Sequence, residues 1–214
     1  VDVLGANWRM RTAGVVALDE LSGMIAPADG SLDEKSWSVS YDVLMGNPGE
    51  DGVWIALDGL LKRTYEREVG NPIPVAAVAI DSGGHHASIV TNFCMPRQKR
   101  RVWAIKGSAT KKGKRLEYVW PRAPKTHRNG CPIHSICTGG IKDRVEMHLG
   151  KTDPGPGYMH IPASRDKTWY DQFISEHRVF VDLGGGRMGS FWTKKRGKQR
   201  NEAWDCRVYA LAAL

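Results

Sequence analysis

Disulfides, membrane spans and nucleotide loops are all poorly provided for in this sequence. Only four cysteines occur in 214 residues, Cys94, Cys131, Cys137 and Cys206, at uneven spacing. So few in a chain of this length do not read as a disulfide framework, and a reducing, intracellular setting is the simpler expectation. No apolar run approaches the roughly 18 residues that a membrane span needs. The opening VDVLGANWRM has no basic start, apolar stretch or small-residue cleavage site of a secretory signal. It begins on Val1 rather than Met, with residues that already read as the middle of a strand, so an excised piece of a longer chain is expected. No Walker motif occurs, and the GGG of residues 184–186 lacks the GK[ST] ending of a phosphate loop. Paired CxxC knuckles are missing too. His127, Cys131, His134 and Cys137 are closely spaced, but a structural zinc is the minor reading against strand and loop positions that happen to hold Cys and His.

What is present is ordinary bulk with an unusual charge. Hydrophobic content of 41% beside 25% charged residues suits a folded globular chain long enough to bury a core. The formal net charge is +8, which favours a polyanionic partner through neutralised phosphates and released counterions. The charge is clustered. Residues 97–128 hold twelve Lys or Arg against one acid, Glu117. One run comprises residues 97–101 with Lys106, Lys111, Lys112, Lys114 and Arg115, flanked by Trp103 and Trp120. A second comprises Lys194, Lys195, Arg196, Lys198 and Arg200, adjoining Trp192. Such runs are either solvated loops or a surface that tracks phosphates. The second leads directly into Glu202 and Asp205, which favours the phosphate reading.

Hydrophobic periodicity gives a coarse organisation without internal repeats. Residues 1–4 and 8–17 read as strands. Residues 36–44 (SWSVSYDVL) alternate apolar and polar, so three antiparallel strands are expected around a loop at 22–34. The period then changes. Val53, Trp54, Leu57, Leu60, Leu61 and Tyr65 fall at helical spacing, with Gly70 as a stop. Residues 74–80 (PVAAVAI) form a continuous apolar run that suits an interior strand covered on both faces. It ends at Asp81, and Ser82-Gly83-Gly84 leads into a short helix through Phe93. Further strands are expected at 102–105, 133–137 and 179–183, and helices at 141–149, 169–178 and 201–213. Residues 97–128 read as a long basic loop, 153–157 (DPGPG) as a turn, and 184–199 as Gly-rich, then basic, connection. Strands first and then β–α alternation describe an α/β domain on a mixed sheet with an antiparallel front half.

Three acids stand where a site at the top of such a sheet would need them. Asp2 lies in the first strand. Asp81 closes the apolar strand, at the carboxyl end where open α/β sheets place ligands. Asp205 lies in the last helix, with Glu202 one turn earlier on the same face. If they converge, their repulsion is large, about 4 kcal/mol for two charges at ~4 Å and an effective dielectric near 20. Mg²⁺ or Mn²⁺ would remove it, because hard cations prefer carboxylate oxygens, and a pair of ions supports phosphodiester hydrolysis. Each acid also has a plain structural alternative. Asp81 could be a turn residue and helix cap, Asp2 an exposed terminal residue, and Glu202 and Asp205 surface partners of Arg200 or Arg207.

The ending KRGKQRNEAWDCRVYALAAL closely resembles the RNEALDCxVYALAAL ending of the large terminase subunit of tailed bacteriophages, in the lambda-type branch. VDV, SWSVSYDVLMGNP, VWIALDGLLKRTY, AVAIDSGGH, VWAIKGS, GIKDRVEMHL and DPGPGYMHIP fit in the same order, so the resemblance covers nearly the whole chain. It implies that residues 1–214 are a single nuclease domain with a ribonuclease-H-like α/β fold, without the packaging ATPase that precedes it in the family. It implies endonucleolytic cleavage of concatemeric double-stranded viral DNA by a two-metal-ion mechanism using Mg²⁺ or Mn²⁺. Catalytic acids are implied at Asp2, Asp81 and Asp205, with Glu202 as a further metal ligand or as the alternative to Asp205, which is preferred. DNA contacts are expected from Lys106, Lys111, Lys112, Lys194, Lys195, Arg196, Lys198 and Arg200. Implied partners are double-stranded DNA, the packaging ATPase domain of the same polypeptide, the small terminase subunit and the portal or procapsid, in the host cytoplasm during virus assembly and with no membrane. The alternative is a non-catalytic DNA-binding or docking module of a packaging motor.

Overall fold

Strand alternation decides which side chains meet which helices in this molecule. A computed structural model describes residues 16–17, 36–38, 40–66, 71–83, 86–108, 124–197 and 200–213. The described residues begin with β1 (Val16–Ala17) and β2 (Ser36–Ser38), then α1 (Asp51–Leu60), β3 (Thr64–Tyr65), β4 (Ile73–Pro74), β5 (Val78–Asp81) and α2 (Ala87–Cys94). A 3-10 turn at Met95–Arg100 leads to β6 (Val102–Ser108), β7 (Lys125–Thr126), β8 (Pro132–Cys137) and α3 (Thr138–Leu149). The remainder is β9 (Met159–His160), α4 (Lys167–Phe173), β10 (Glu176–Asp182), β11 (Met188–Lys194) and α5 (Glu202–Ala213).

Among the described residues the largest sheet runs β5-β6-β8-β7, with β5, β6 and β8 parallel and β7 antiparallel at the edge. Successive side chains of a strand point to opposite faces, and the buried clusters divide accordingly. Val78, Ile80, Val102 and Ala104 pack with Trp54 and Leu57 of α1 and with Val90 and Phe93 of α2. Ala79, Ile105 and Ile136 pack on the other side with α3, α4 and α5, through Ile141, Val145, Trp169, Phe173, Trp204 and Val208. The sheet is therefore covered on both faces, as its uninterrupted apolar strands require. The chain is an α/β fold with a mixed sheet and flanking helices.

Several sequence expectations need correction. The helix expected as far as Tyr65 ends at Leu60, because Thr64 and Tyr65 pair antiparallel with β4. The apolar run 74–80 is not one strand but two pieces, β4 and β5, in different sheets. Among the described residues of 36–44 only Ser36–Ser38 are strand, and β2 pairs antiparallel with β1 but parallel with β9, so the described front half is not a purely antiparallel triplet. The strand expected at residues 1–4 lies outside the described residues. The helix expected over 169–178 stops at Phe173, and Glu176 opens a strand. Asp166 caps this short helix by accepting from the Trp169 N–H at 2.7 Å.

The stretch after Gly184, expected as a connection, is half of a hairpin. Seven residue pairs join β10 to β11, from Glu176–Lys194 to Asp182–Met188. Gly184, Gly185 and Gly186 all take positive φ, at 84°, 62° and 74°. Three consecutive left-handed residues are tolerable only as glycine, so the GGG segment serves the reversal of the chain. Leu183 N–H closes the loop onto the Arg187 carbonyl at 2.8 Å.

Candidate active site

Asp81 is the last residue of β5 and shares the face of Ala79, the face that meets α5. Its half-buried carboxylate is held on both sides. Oδ1 accepts the Gly83 N–H at 2.8 Å, and Oδ2 accepts the Tyr209 hydroxyl of α5 at 3.2 Å. The first contact is the local turn anticipated for Asp-Ser-Gly-Gly. The helix-cap reading does not hold, since α2 begins at Ala87 with no side-chain cap. Ser82 ties the strand end down, its N–H and its hydroxyl both donating to the Ile105 carbonyl at 2.8 Å.

Helix α5 is buried almost all round, which its small residues permit: Ala203, Ala210 and Ala212 lie against neighbours that larger side chains would push away. Asp205 stands one helical turn before Tyr209, on the same stripe. The carboxylate of Asp205 is 9% exposed and lies 3.9 Å from the Lys142 ammonium of α3. Lys142 in turn contacts Glu176 at 2.5 Å, with 12% and 6% of the two side chains exposed. Asn201, just before α5, donates its Nδ2 to Glu176 Oε1 at 2.7 Å. Glu202 does not join this group; it pairs with Arg200 at 3.3 Å, as the surface reading foresaw. Arg207 points elsewhere, burying its guanidinium against the Ser36 hydroxyl, and burial lowers its pKa to about 10.

Of the expected DNA contacts, Lys194, Lys195 and Arg196 are exposed at the end of β11, where the strand register sets Lys194 opposite Glu176. Lys106 is exposed on β6 but follows Ile105, so alternation sends it to the α1–α2 side, away from Asp81 and α5. Part of the first basic run is structural: Arg97 and Arg100 both bind Asp58 at 2.9 Å. Two of the flanking tryptophans are packing residues, while Trp120 lies outside the described residues. Trp192 lies against Trp204 and donates to Asp143 at 2.8 Å, and Trp103 packs toward His134. Asp2, Lys111, Lys112 and Lys198 lie outside the described residues.

The family model for the endonuclease domain of terminase large subunit gpA matches residues 31–214. The chain belongs to that family. It is 33% identical over 217 residues to the terminase large subunit of Escherichia phage lambda, covering 92% of this chain and 32% of that protein. It is 28% identical over 191 residues to the terminase large subunit of Enterobacteria phage P21, covering 85% of this chain and 28% of that protein. The chain thus spans about a third of the length of these curated relatives. No solved structure matches it.

Seen as a terminase endonuclease domain, the arrangement has donors of one chemical kind. Carboxylates of Asp81, Glu176 and Asp205 and the carboxamide oxygen of Asn201 are hard oxygen donors, the kind that Mg²⁺ or Mn²⁺ prefers. Among the described residues, no three His, Cys, Asp or Glu side chains converge as a metal-holding group. The zinc set is divided by its own strand. Cys131 packs with the α1–α2 cluster, while His134 faces Trp103 on the other side and His127 bonds Thr91 at 3.2 Å. Lys142, Glu176, Asn201 and Tyr209 were not singled out from sequence. Tyr209 was legible as the position four after Asp205. Glu176 was hidden by the helix expected to run through it.

Proposed function

We propose that this chain is a metal-dependent endonuclease domain of ribonuclease-H-like fold that cleaves concatemeric double-stranded viral DNA during genome packaging. The observation that carries the reading is the Tyr209–Asp81 hydrogen bond, which joins the carboxyl end of β5 to α5 one turn from Asp205. The family description, an endonuclease domain of a terminase large subunit, supports the same reaction. Asp81 and Asp205, with Asp2, would hold one or two Mg²⁺ or Mn²⁺ ions. Such ions neutralise charge on the scissile phosphate and lower the pKa of water.

The chain's own residues supply position. Tyr209 and the Gly83 N–H keep the Asp81 carboxylate oriented, so that it need not reorganise when DNA arrives. Lys194, Lys195 and Arg196, with Lys111, Lys112, Lys198 and Arg200 from the two basic runs, would hold the phosphate backbone. Lys106 would act from the opposite side of the sheet, so its role is confined to the backbone beyond the cut. Within this reading residues 1–214 act as a single domain. They work with the packaging ATPase of the same polypeptide, the small terminase subunit and the portal or procapsid, in the host cytoplasm. Supercoiled plasmid incubated at low salt with Mg²⁺, Mn²⁺ or EDTA tests it. Conversion to nicked and linear forms with either ion and none in EDTA is expected. Binding without cleavage under every ion would make the chain a docking module instead.

A further inference from the structure

Glu176 at the start of β10 and Asn201 and Asp205 around the first turn of α5 come from two distant places in the sequence and meet at one buried point. The Lys142 ammonium lies between two carboxylates there, 2.5 Å from Glu176 and 3.9 Å from Asp205. Asn201 is 5% exposed, and its amide nitrogen is committed to Glu176, yet its Oδ1 has no hydrogen-bond partner among the described residues. A buried oxygen left without a donor costs about 1–3 kcal/mol, and a bound ion is one way to offset that cost. Two carboxylates and a carboxamide oxygen are a ligand set for a hard divalent cation.

We propose that Glu176, Asp205 and the Asn201 carboxamide oxygen form one divalent-cation site, and that the Lys142 ammonium is its resident competitor. The inference rests on the nuclease reading for the use of a metal, and it replaces Glu202 by Glu176 as the acid accompanying Asp205. Glu202 is engaged by Arg200. Lysine suits the competing role, because its ammonium is a compact point charge on a flexible four-carbon stem. It balances the carboxylates before a metal arrives and can withdraw when an ion of twice the charge takes its place. The competitor also ties metal loading to the hairpin, since Glu176 is the first residue of β10 and lies opposite Lys194 in the register.

Mn²⁺ binding to the purified 214-residue chain, followed by electron paramagnetic resonance of the free ion, separates this from a structural salt bridge. Lys142→Met is expected to bind Mn²⁺ about tenfold more tightly than the native chain, because the competing charge is gone. Glu176→Gln is expected to bind at least about tenfold more weakly, the usual scale for changes around a metal, and Glu202→Gln to stay within about threefold of native. A Lys142→Met chain that binds no more tightly, or a Glu176→Gln chain with native affinity, overturns the proposal. Where a variant does not fold, the native protein decides. Substoichiometric Mn²⁺ should broaden the Asn201 side-chain amide and Glu176 backbone resonances first, and their persistence while other signals broaden overturns it equally. Cleavage is scored separately. A chain that binds Mn²⁺ here but cuts no DNA refutes the nuclease reading alone, and one that cuts while Glu176→Gln keeps native affinity refutes only this inference.

Discussion

Neutralising Lys142 should destabilise the metal-free fold more than neutralising its partner Glu176. The two side chains are 12% and 6% exposed and 2.5 Å apart, so solvent screening removes little of their interaction. Breaking such a buried pair by losing one member costs about 3–5 kcal/mol, because the other charge is left behind. The neighbours decide where in that range each variant falls. With Glu176→Gln, Lys142 keeps Asp205 at 3.9 Å, and the new amide oxygen can still accept from Asn201; a loss near 3 kcal/mol is expected. With Lys142→Met, the Glu176 and Asp205 carboxylates both lose the ammonium that lies between them, and the loss should approach about 5 kcal/mol. Lys142→Met/Glu176→Gln removes both charges and should recover to within about 2 kcal/mol of native, a coupling of several kcal/mol in the cycle. Urea unfolding in EDTA at neutral pH measures all four chains, with unchanged m-values as the check on a common unfolded state. Losses below about 1 kcal/mol for both single variants, or a larger loss for Glu176→Gln, would refute the buried-pair reasoning.

Asp58 ties α1 to the 3-10 turn, and its carboxyl is held far below the usual range, first by Arg97 and then by Lys62, against burial that works the other way. A depressed carboxyl stabilises the fold above its unfolded value near ~3.9, and that stability drains as pH falls from there toward the folded value. Asp58→Asn should therefore flatten the acid limb of unfolding free energy against pH; an unchanged limb would exclude this role. Gly185 has φ of 62° and open space where a Cβ would stand, so Gly185→Ala should cost only the backbone penalty of about 1 kcal/mol. Gly46→Ala should cost more, because its Cβ would fall 2.4 Å from Val53 Cγ2; thermal unfolding ranks the two. Burial, with Cys131 beside it, pushes the Cys94 thiol up to about 12. It should remain unreactive toward a disulfide reagent at pH 8 until the chain unfolds, and prompt labelling of Cys94 in the native protein would contradict its burial.

The parts legible in the sequence were those governed by local period. The strand end at Asp81, the strand reaching Lys106 and the last helix with its small residues all emerge at or near their expected places, although the apolar run before Asp81 is split in two. What local period cannot show is pairing. Glu176 to Phe180 can be written as the end of a helix or the start of a strand. Only the seven-pair ladder with β11, turned by three left-handed glycines, settles it. That one ambiguity concealed the acid nearest Lys142. Face assignment escaped for the same reason: Lys106 was expected to contact DNA, yet the pleat sends it to the side of the sheet away from Asp81. Asp205 was legible as an acid of the last helix, whereas its neighbours from α3 and β10 depend on packing across the sheet.

The most direct test of the central claim compares the native chain with Asp81→Ala in plasmid cleavage with Mn²⁺, with DNA binding measured in parallel at the same salt. The account predicts that the native chain cuts, that Asp81→Ala does not, and that binding persists or tightens as a negative charge leaves the DNA surface. Equal cutting by both chains would contradict it, because the carboxylate held by Tyr209 and Gly83 would then lie outside the reaction.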